Sequence, residues 1–205
     1  MLTTEYPKTV TLKDGRSIVI RPLARDDFDQ LHAFFAALPE EDRLFLRHDV
    51  SDPQLVRKWT EELDFDRIVP LNALDGGEVV ASGSLHLLPH GWMSHVGHVR
   101  FVTARSHRHQ GLGGLIAREL VAVATARNLE KIQAHVVDDN LGAVRMLEAI
   151  GFETAAVLRG MVKDQSGKLR NLAIMVNDVG NLSQLMDDWI QDSMLPSHRV
   201  PGGGA

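Results

Sequence analysis

Apolar and polar positions recur along this chain with two periods, and the changes between them mark out its elements. Thr9–Leu12 and Ser17–Arg21 read as short strands around Lys13-Asp14-Gly15-Arg16, where Asp-Gly signals a hairpin, and Pro22 ends the second strand. Phe28, Leu31, Phe34, Phe35 and Leu38 then fall at helical spacing behind Asp26 or Asp27 as a cap. Pro39 interrupts that pattern, and Glu40–Arg47 predicts a short second helix. Asp52-Pro53, a capping residue followed by proline in the first helical turn, opens a third helix carrying Leu55, Val56, Trp59 and Leu63.

From Arg67 the period shortens to that of strands. Ile68–Leu74 and Glu78–Leu88 form a hairpin around Asp75-Gly76-Gly77, and Trp92–Thr103 follows as the next strand after Pro89-His90-Gly91. A helix is expected from Gly113 to Arg127, a strand over Lys131–Val137, and a helix over Asn140–Ile150 that stops at Gly151. Thr154–Lys163 and Leu169–Val176 make a final hairpin. Asp178–Met194 places Leu182, Leu185, Met186, Trp189 and Ile190 on one helical stripe, suited to packing on the domain or to a homodimer contact. A strand–helix–strand unit between runs of strands predicts an α/β (α+β) fold with a mixed sheet.

With 205 residues, 44% of them hydrophobic, the chain suffices for one domain with a real core. We expect a single domain over 1–178, a helical extension over 179–195 and a flexible tail over 196–205. The formal net charge of -5 gives no basic field for nucleic acid. The absence of cysteine excludes disulfides, thiolate metal sites and a cysteine nucleophile. No basic-then-apolar leader pattern opens the chain and no apolar run is long enough for a bilayer, so a cytoplasmic protein with no membrane partner is expected.

The chemistry concentrates between Val99 and Arg127. A strand runs through Arg108-His109-Gln110-Gly111-Leu112-Gly113-Gly114 into an amphipathic helix. Glycines before a helix allow close backbone approach, and the first helical amides, lacking intrahelical acceptors, suit an anion. The triphosphatase loop is excluded because Leu115-Ile116 follow Gly114 where lysine and serine or threonine are required. The dinucleotide fingerprint fails because Ile116 replaces its third glycine.

The remaining pattern is Arg108-x-x-Gly111-x-Gly113, followed by Asn140-x-x-Ala143 and Gly151-Phe152, with Ile20-Arg21-Pro22-Leu23 and Asp26-Asp27 upstream. Together these resemble the GCN5-related N-acetyltransferase (GNAT) family over roughly residues 16–176. The resemblance implies a splayed mixed sheet with helices on both faces, and acetyl-CoA as acyl donor. Its pyrophosphate would lie on the amides of Arg108, His109, Gln110, Gly111, Leu112, Gly113 and Gly114. Its pantetheine arm would pair with the backbone of Phe101, Val102 and Thr103 in strand-addition fashion. Asn140, with Ala143, would contact that arm or cap its own helix.

The chain departs from the family at Leu147, where the resemblance leads one to expect a general-acid tyrosine; the single tyrosine, Tyr6, lies far upstream on an end expected to fray. A thiol pKa of about 8.5 makes thiolate a fair leaving group without that acid. A backbone amide near Val102 suits the developing oxyanion. His98 shares a strand face with Arg100 and Val102. Family members place a glutamate at this position, so the resemblance assigns the general base to His98, kept neutral by Arg100; a strand histidine that only hydrogen-bonds is the alternative. The nearby His86, His90, His95, His107 and His109 do not make a metal site, because His95 and His98 fall on opposite strand faces and carboxylates are scarce. Arg43, Arg47, His48, Trp59, Arg170 and Asn171 are candidates for shaping the acceptor site. The expected activity is acetyl transfer from acetyl-CoA to a small-molecule amine, a protein lysine or an N-terminus in a ternary complex. The alternative is a non-catalytic acyl-CoA-binding sensor.

Overall fold

A computed structural model of the chain describes residues 5–43, 46, 48–164 and 166–179. Eight strands form one sheet: β1 Lys8–Thr11, β2 Ser17–Pro22, β3 Ile68–Asp75, β4 Glu78–His86, β5 Val96–Thr103, β6 Lys131–Val137, β7 Glu153–Lys163 and β8 Leu169–Asp178. Their order is β1-β2-β3-β4-β5-β6-β8-β7, with every neighbouring pair antiparallel except β5 and β6. That one parallel pair is joined by α4 (Leu112–Ala126), as parallel strands require a crossover.

The helices cover both faces. On one, α4 packs Ile116, Leu120 and Ala124 onto Ile20, Leu71, Leu85 and Val99, together with Leu147 of α5 (Leu141–Glu148). The fit is close: a Cβ on Gly83 of β4 would stand 2.7 Å from Ile116 Cγ2. On the other face, α1 (Phe28–Ala37) and α3 (Pro53–Glu61) enclose Leu31, Phe34, Phe35 and Val56 against Leu74 and Val79. Trp59, on the apolar stripe of α3, packs edge-on to Phe35 and His48.

Several boundaries differ from the sequence expectations for physical reasons. β5 starts at Val96, not Trp92, because its first partner is Lys131 of β6, and β4 joins only at His98; the residues before Val96 have no ladder to join, and Trp92 is 91% exposed. Asp52 caps α3 as expected, accepting from the Gln54 amide at 2.8 Å. Asp27 holds the N-cap position of α1 without capping it, since its carboxylate accepts instead from both Arg21 terminal nitrogens at 2.6 Å and from the Ala24 amide. Burial pushes the Asp27 carboxyl up, but Arg21 and that amide outweigh it and hold it below the usual range. α2 is Glu40–Arg43; residues 44, 45 and 47 of the longer helix expected there lie outside the described residues. Asp178 closes β8 opposite Lys131 and Val179 is already helical; residues 180–194 of that expected helix, and the tail, lie outside the described residues. No helix among the described residues is long and apolar enough to cross a membrane.

Candidate functional site

The β5–β6 ladder stops early. Its register runs Val96–Lys131, Gly97–Ile132, His98–Gln133 and Val99–Ala134, after which Arg100–Thr103 pair only with β4 and His135–Val137 only with β8. The sheet therefore opens into a wedge-shaped gap whose apex lies at Val99 and Ala134. Burial along β5 alternates up to Val99 and is then intermediate at every residue to Thr103, as expected where one edge loses its neighbour.

Which backbone groups face this gap follows from one bond. The Ala104 amide donates to the Val80 carbonyl at 2.9 Å, on the β4 side. Strand amides alternate in direction, so Val102 is turned toward Ser82 of β4, while Phe101 and Thr103 present their backbone groups to the gap. The set Phe101, Val102 and Thr103 thus narrows to two for strand-like pairing.

At the wide end, the chain turns through a short 3-10 segment, Arg105–His107, into α4. His109 (φ 62) and Gly111 (φ 88) both adopt left-handed conformations, and Gly111 is the N-cap. The Arg108 amide donates to the Arg105 carbonyl at 3.2 Å, and the Leu115 amide to Gly111 at 3.0 Å. Between them the amides of His109, Gln110, Gly111, Leu112, Gly113 and Gly114 have no acceptor among the described residues. A Cβ on Gly113 would meet nothing nearer than Thr103 Oγ1 at 3.6 Å, so its missing side chain leaves space between the loop and β5. An amide row at the N-terminus of a 15-residue helix, with that space in front, has the chemistry of an anion cradle.

The side chains of this loop are held by partners far along the chain. Arg108 donates to Asp42 Oδ2 at 2.7 Å and to the Thr103 carbonyl at 3.4 Å, and Arg105 pairs with Asp42 and Glu41 of α2. Gln110 accepts from Arg16 of the first hairpin. His107 is buried, with Nε2 3.0 Å from Asp75 Oδ2 and 2.6 Å from Arg16 Nη1. The His107 hydrogen bond, aided by Arg16, holds the Asp75 carboxyl below its usual range. His107 is thus a strut between the first hairpin and β3.

At the apex, His98 and His135 meet edge to face, ring centroids 5.6 Å apart. His86 lies opposite His98 across β4 and β5, its Nε2 3.0 Å from Ser84 Oγ, and Arg100 lies opposite Ser84. His135 went unnoticed in the sequence. The polar positions Lys131, Gln133 and His135 alternating along β6 were its only local signal.

Asn140 accepts from the Ala143 amide at 3.3 Å, so these two residues form the cap of α5. Leu147 is fully buried in the core. Tyr6, expected on a fraying end, instead donates to Glu119 of α4 at 3.1 Å; burial first, then that carboxylate, push its phenol pKa up. Arg170 pairs with Asp139 and Asp164, and Asn171 ties Asp138 to the Gly160 amide, so both brace the final hairpin. Arg47 lies outside the described residues.

The acetyltransferase (GNAT) family profile matches residues 29–152. No curated protein sequence matches the chain. Among solved structures, the GNAT domain of S. lividans PAT is 22% identical with a TM-score of 0.69, covering 85% of this chain and 99% of that one. The ribosomal-protein-alanine N-acetyltransferase from Brucella melitensis is 22% identical (TM-score 0.67; 78% of this chain, 98% of that one). A GCN5-related N-acetyltransferase from Kribbella flavida is 18% identical (TM-score 0.69; 78% of this chain, 97% of that one). These structures share the fold described above, and with a family profile spanning β5, the amide row and α5, the chain belongs to the GNAT family of acetyltransferases, which draw their acetyl group from acetyl-CoA.

Proposed function

We propose that this chain transfers the acetyl group of acetyl-CoA directly to the nitrogen of an amine, with donor and acceptor bound together. The observation that carries this reading is the gap itself, with an anion-binding amide row at its mouth and His98 at its apex. The five residue steps from His98 to Thr103 supply roughly 17 Å of strand edge at about 3.3 Å each, enough to lay out an extended arm.

Acetyl-CoA supplies an activated thioester. The amides of His109–Gly114 hold its pyrophosphate, and Phe101 and Thr103 pair with its arm. The Phe101 amide, the first gap-facing donor beyond the apex, suits the charge that develops on the carbonyl oxygen. His98 takes the proton of the attacking nitrogen as the C–N bond forms; the C–S bond breaks with its electron pair leaving on sulfur. The thiolate leaves without a protein acid, since Leu147 offers none.

Leu147 is also the observation that favours a second reading, a non-catalytic acyl-CoA-binding module. A thiol-release assay over a panel of amines separates the two. Turnover of any panel amine supports the transferase; acetyl-CoA binding without turnover supports the sensor. For the base, His98→Ala is expected to lower kcat/KM about a hundredfold or more and to abolish the rise of rate on the acid limb of its pH profile. An unchanged profile refutes the role of His98.

A further inference from the structure

The amide row before α4 is flanked on one side by β5 and on the other by α5. A Cβ on Gly113 would face Thr103 Oγ1 at 3.6 Å, whereas one on Gly114 would stand 3.8 Å from both Arg118 Nη2 and Met146 Cγ of α5. Helical side chains lean toward the N-terminus, so Arg118, on the next turn of α4, folds its guanidinium back over the first turn. Gly114 leaves the room in which that guanidinium lies; a long side chain at 114 would compete for the same place. Arg118 is exposed and has no acid partner among the described residues. The other arginines on or touching the loop and α4 are taken: Arg16 by Asp14 and Asp75, Arg105 by Glu41 and Asp42, Arg108 by Asp42, and Arg127 by Asp66. Glu119, next to Arg118 in the chain, is held by Lys8 at 2.7 Å and by Tyr6 at 3.1 Å.

Coenzyme A carries a further phosphate beyond its pyrophosphate, a monoester on the 3′-oxygen of the ribose. The pantetheine arm and the ribose are attached to opposite ends of the pyrophosphate. With the arm running past Thr103 into the gap, the ribose and its 3′-phosphate leave the amide row on the side away from β5, where Arg118 lies. A phosphomonoester is close to a dianion at neutral pH, and a guanidinium meets two of its oxygens at once. Backbone amides and the helix dipole suit the pyrophosphate but bring only partial charge; Arg118 brings a full one to the same end of the helix. We propose that Arg118 binds the 3′-phosphate of the donor and is the residue by which the protein distinguishes coenzyme A from its 3′-dephospho form. This inference rests on the acetyl-CoA reading above and adds a second phosphate subsite to it.

The test is calorimetry on the full chain with coenzyme A and 3′-dephospho-coenzyme A, which differ in that phosphate alone. The wild type is expected to bind coenzyme A about ten- to hundredfold more tightly than the dephospho form. Arg118→Gln is expected to weaken coenzyme A binding by that factor and to leave the affinity for the dephospho form unchanged, so that the two ligands become equivalent. Arg118→Lys keeps the charge without the planar fork and is expected to retain part of the preference. Equal affinities of the wild type for the two ligands overturn the proposal without any variant. Arg118→Gln weakening both ligands alike, the mark of a contact to the pyrophosphate, overturns it too, as does a variant that weakens neither. Binding of neither ligand to the wild type overturns the acetyl-CoA reading itself, and this inference with it.

Discussion

Gly113→Ala is expected to make the protein more stable and its donor binding weaker at once. Position 113 lies in the first turn of α4, and a methyl group there meets only Thr103 Oγ1, at an ordinary contact of 3.6 Å. No positive φ is required, in contrast to Gly111. Replacing glycine by alanine in a helix is worth up to about 1 kcal/mol, and about half that so close to the end. For a chain of this length that raises Tm by about 1–2 °C. The added methyl stands in the space between the amide row and β5, where a phosphate group must come within hydrogen-bond distance. Losing one charge-assisted bond there costs about 1.5–3 kcal/mol, or roughly ten- to hundredfold in Kd. Thermal unfolding without ligand and calorimetry with acetyl-CoA read the two effects separately. Unchanged or tighter acetyl-CoA binding in a variant of unchanged or raised Tm refutes the assignment of the pyrophosphate to this row. A lowered Tm refutes the packing analysis.

Two further outcomes test how the site is supported. Gly83→Ala is expected to lower stability by about 1–3 kcal/mol, because its methyl would lie 2.7 Å from Ile116 Cγ2 and force α4 away from β4; thermal unfolding checks this, and an unchanged Tm contradicts the close α4–β4 contact. Asp27→Asn breaks the pair with Arg21 at the start of α1, with an expected loss on the order of 2 kcal/mol, below the range for a fully buried pair because Arg21 is 28% exposed. Because the Asp27 carboxyl is held below its unfolded value, its contribution is fully present above the unfolded carboxylate pKa of about 3.9 and is lost as pH falls through the folded value. The wild type is therefore expected to lose more stability than the variant on acidification below about pH 4; parallel stability–pH curves would refute the linkage.

The local elements were legible because each is written by a short-range rule. The Lys131–Val137 strand has the bounds its alternation implied, and Asp52-Pro53 opens α3 because the cap and the proline act within one turn. The glycine-rich loop before α4 was legible for the same reason, since its glycines and the following helix are neighbours in sequence. Asn140 belongs here too: Asn-x-x-Ala is a local cap, and the structure realises it as one.

What local pattern left open is the choice among distant partners. Asp27 was read as a cap, yet Arg21 and the Ala24 amide claim its carboxylate, a competition that proximity in the folded chain decides. Arg108 was read as offering its amide to phosphate, yet that amide bonds the Arg105 carbonyl, and Asp42 of α2 holds the guanidinium. His135 escaped notice because nothing nearby in sequence distinguishes it; it matters only because parallel register sets β6 beside β5.

The sequence by itself determined the periods, the caps, the glycine-rich turn and, through the spacing of Arg108, Gly111, Gly113, Asn140 and Gly151-Phe152, the family. The tertiary structure decided where the β5–β6 ladder stops, hence which backbone groups face the gap and which side chains meet at its apex. The physical reason is range: period and capping energies act over a few residues, whereas the end of a ladder is fixed by how two strands more than thirty positions apart diverge under the helices packed against them.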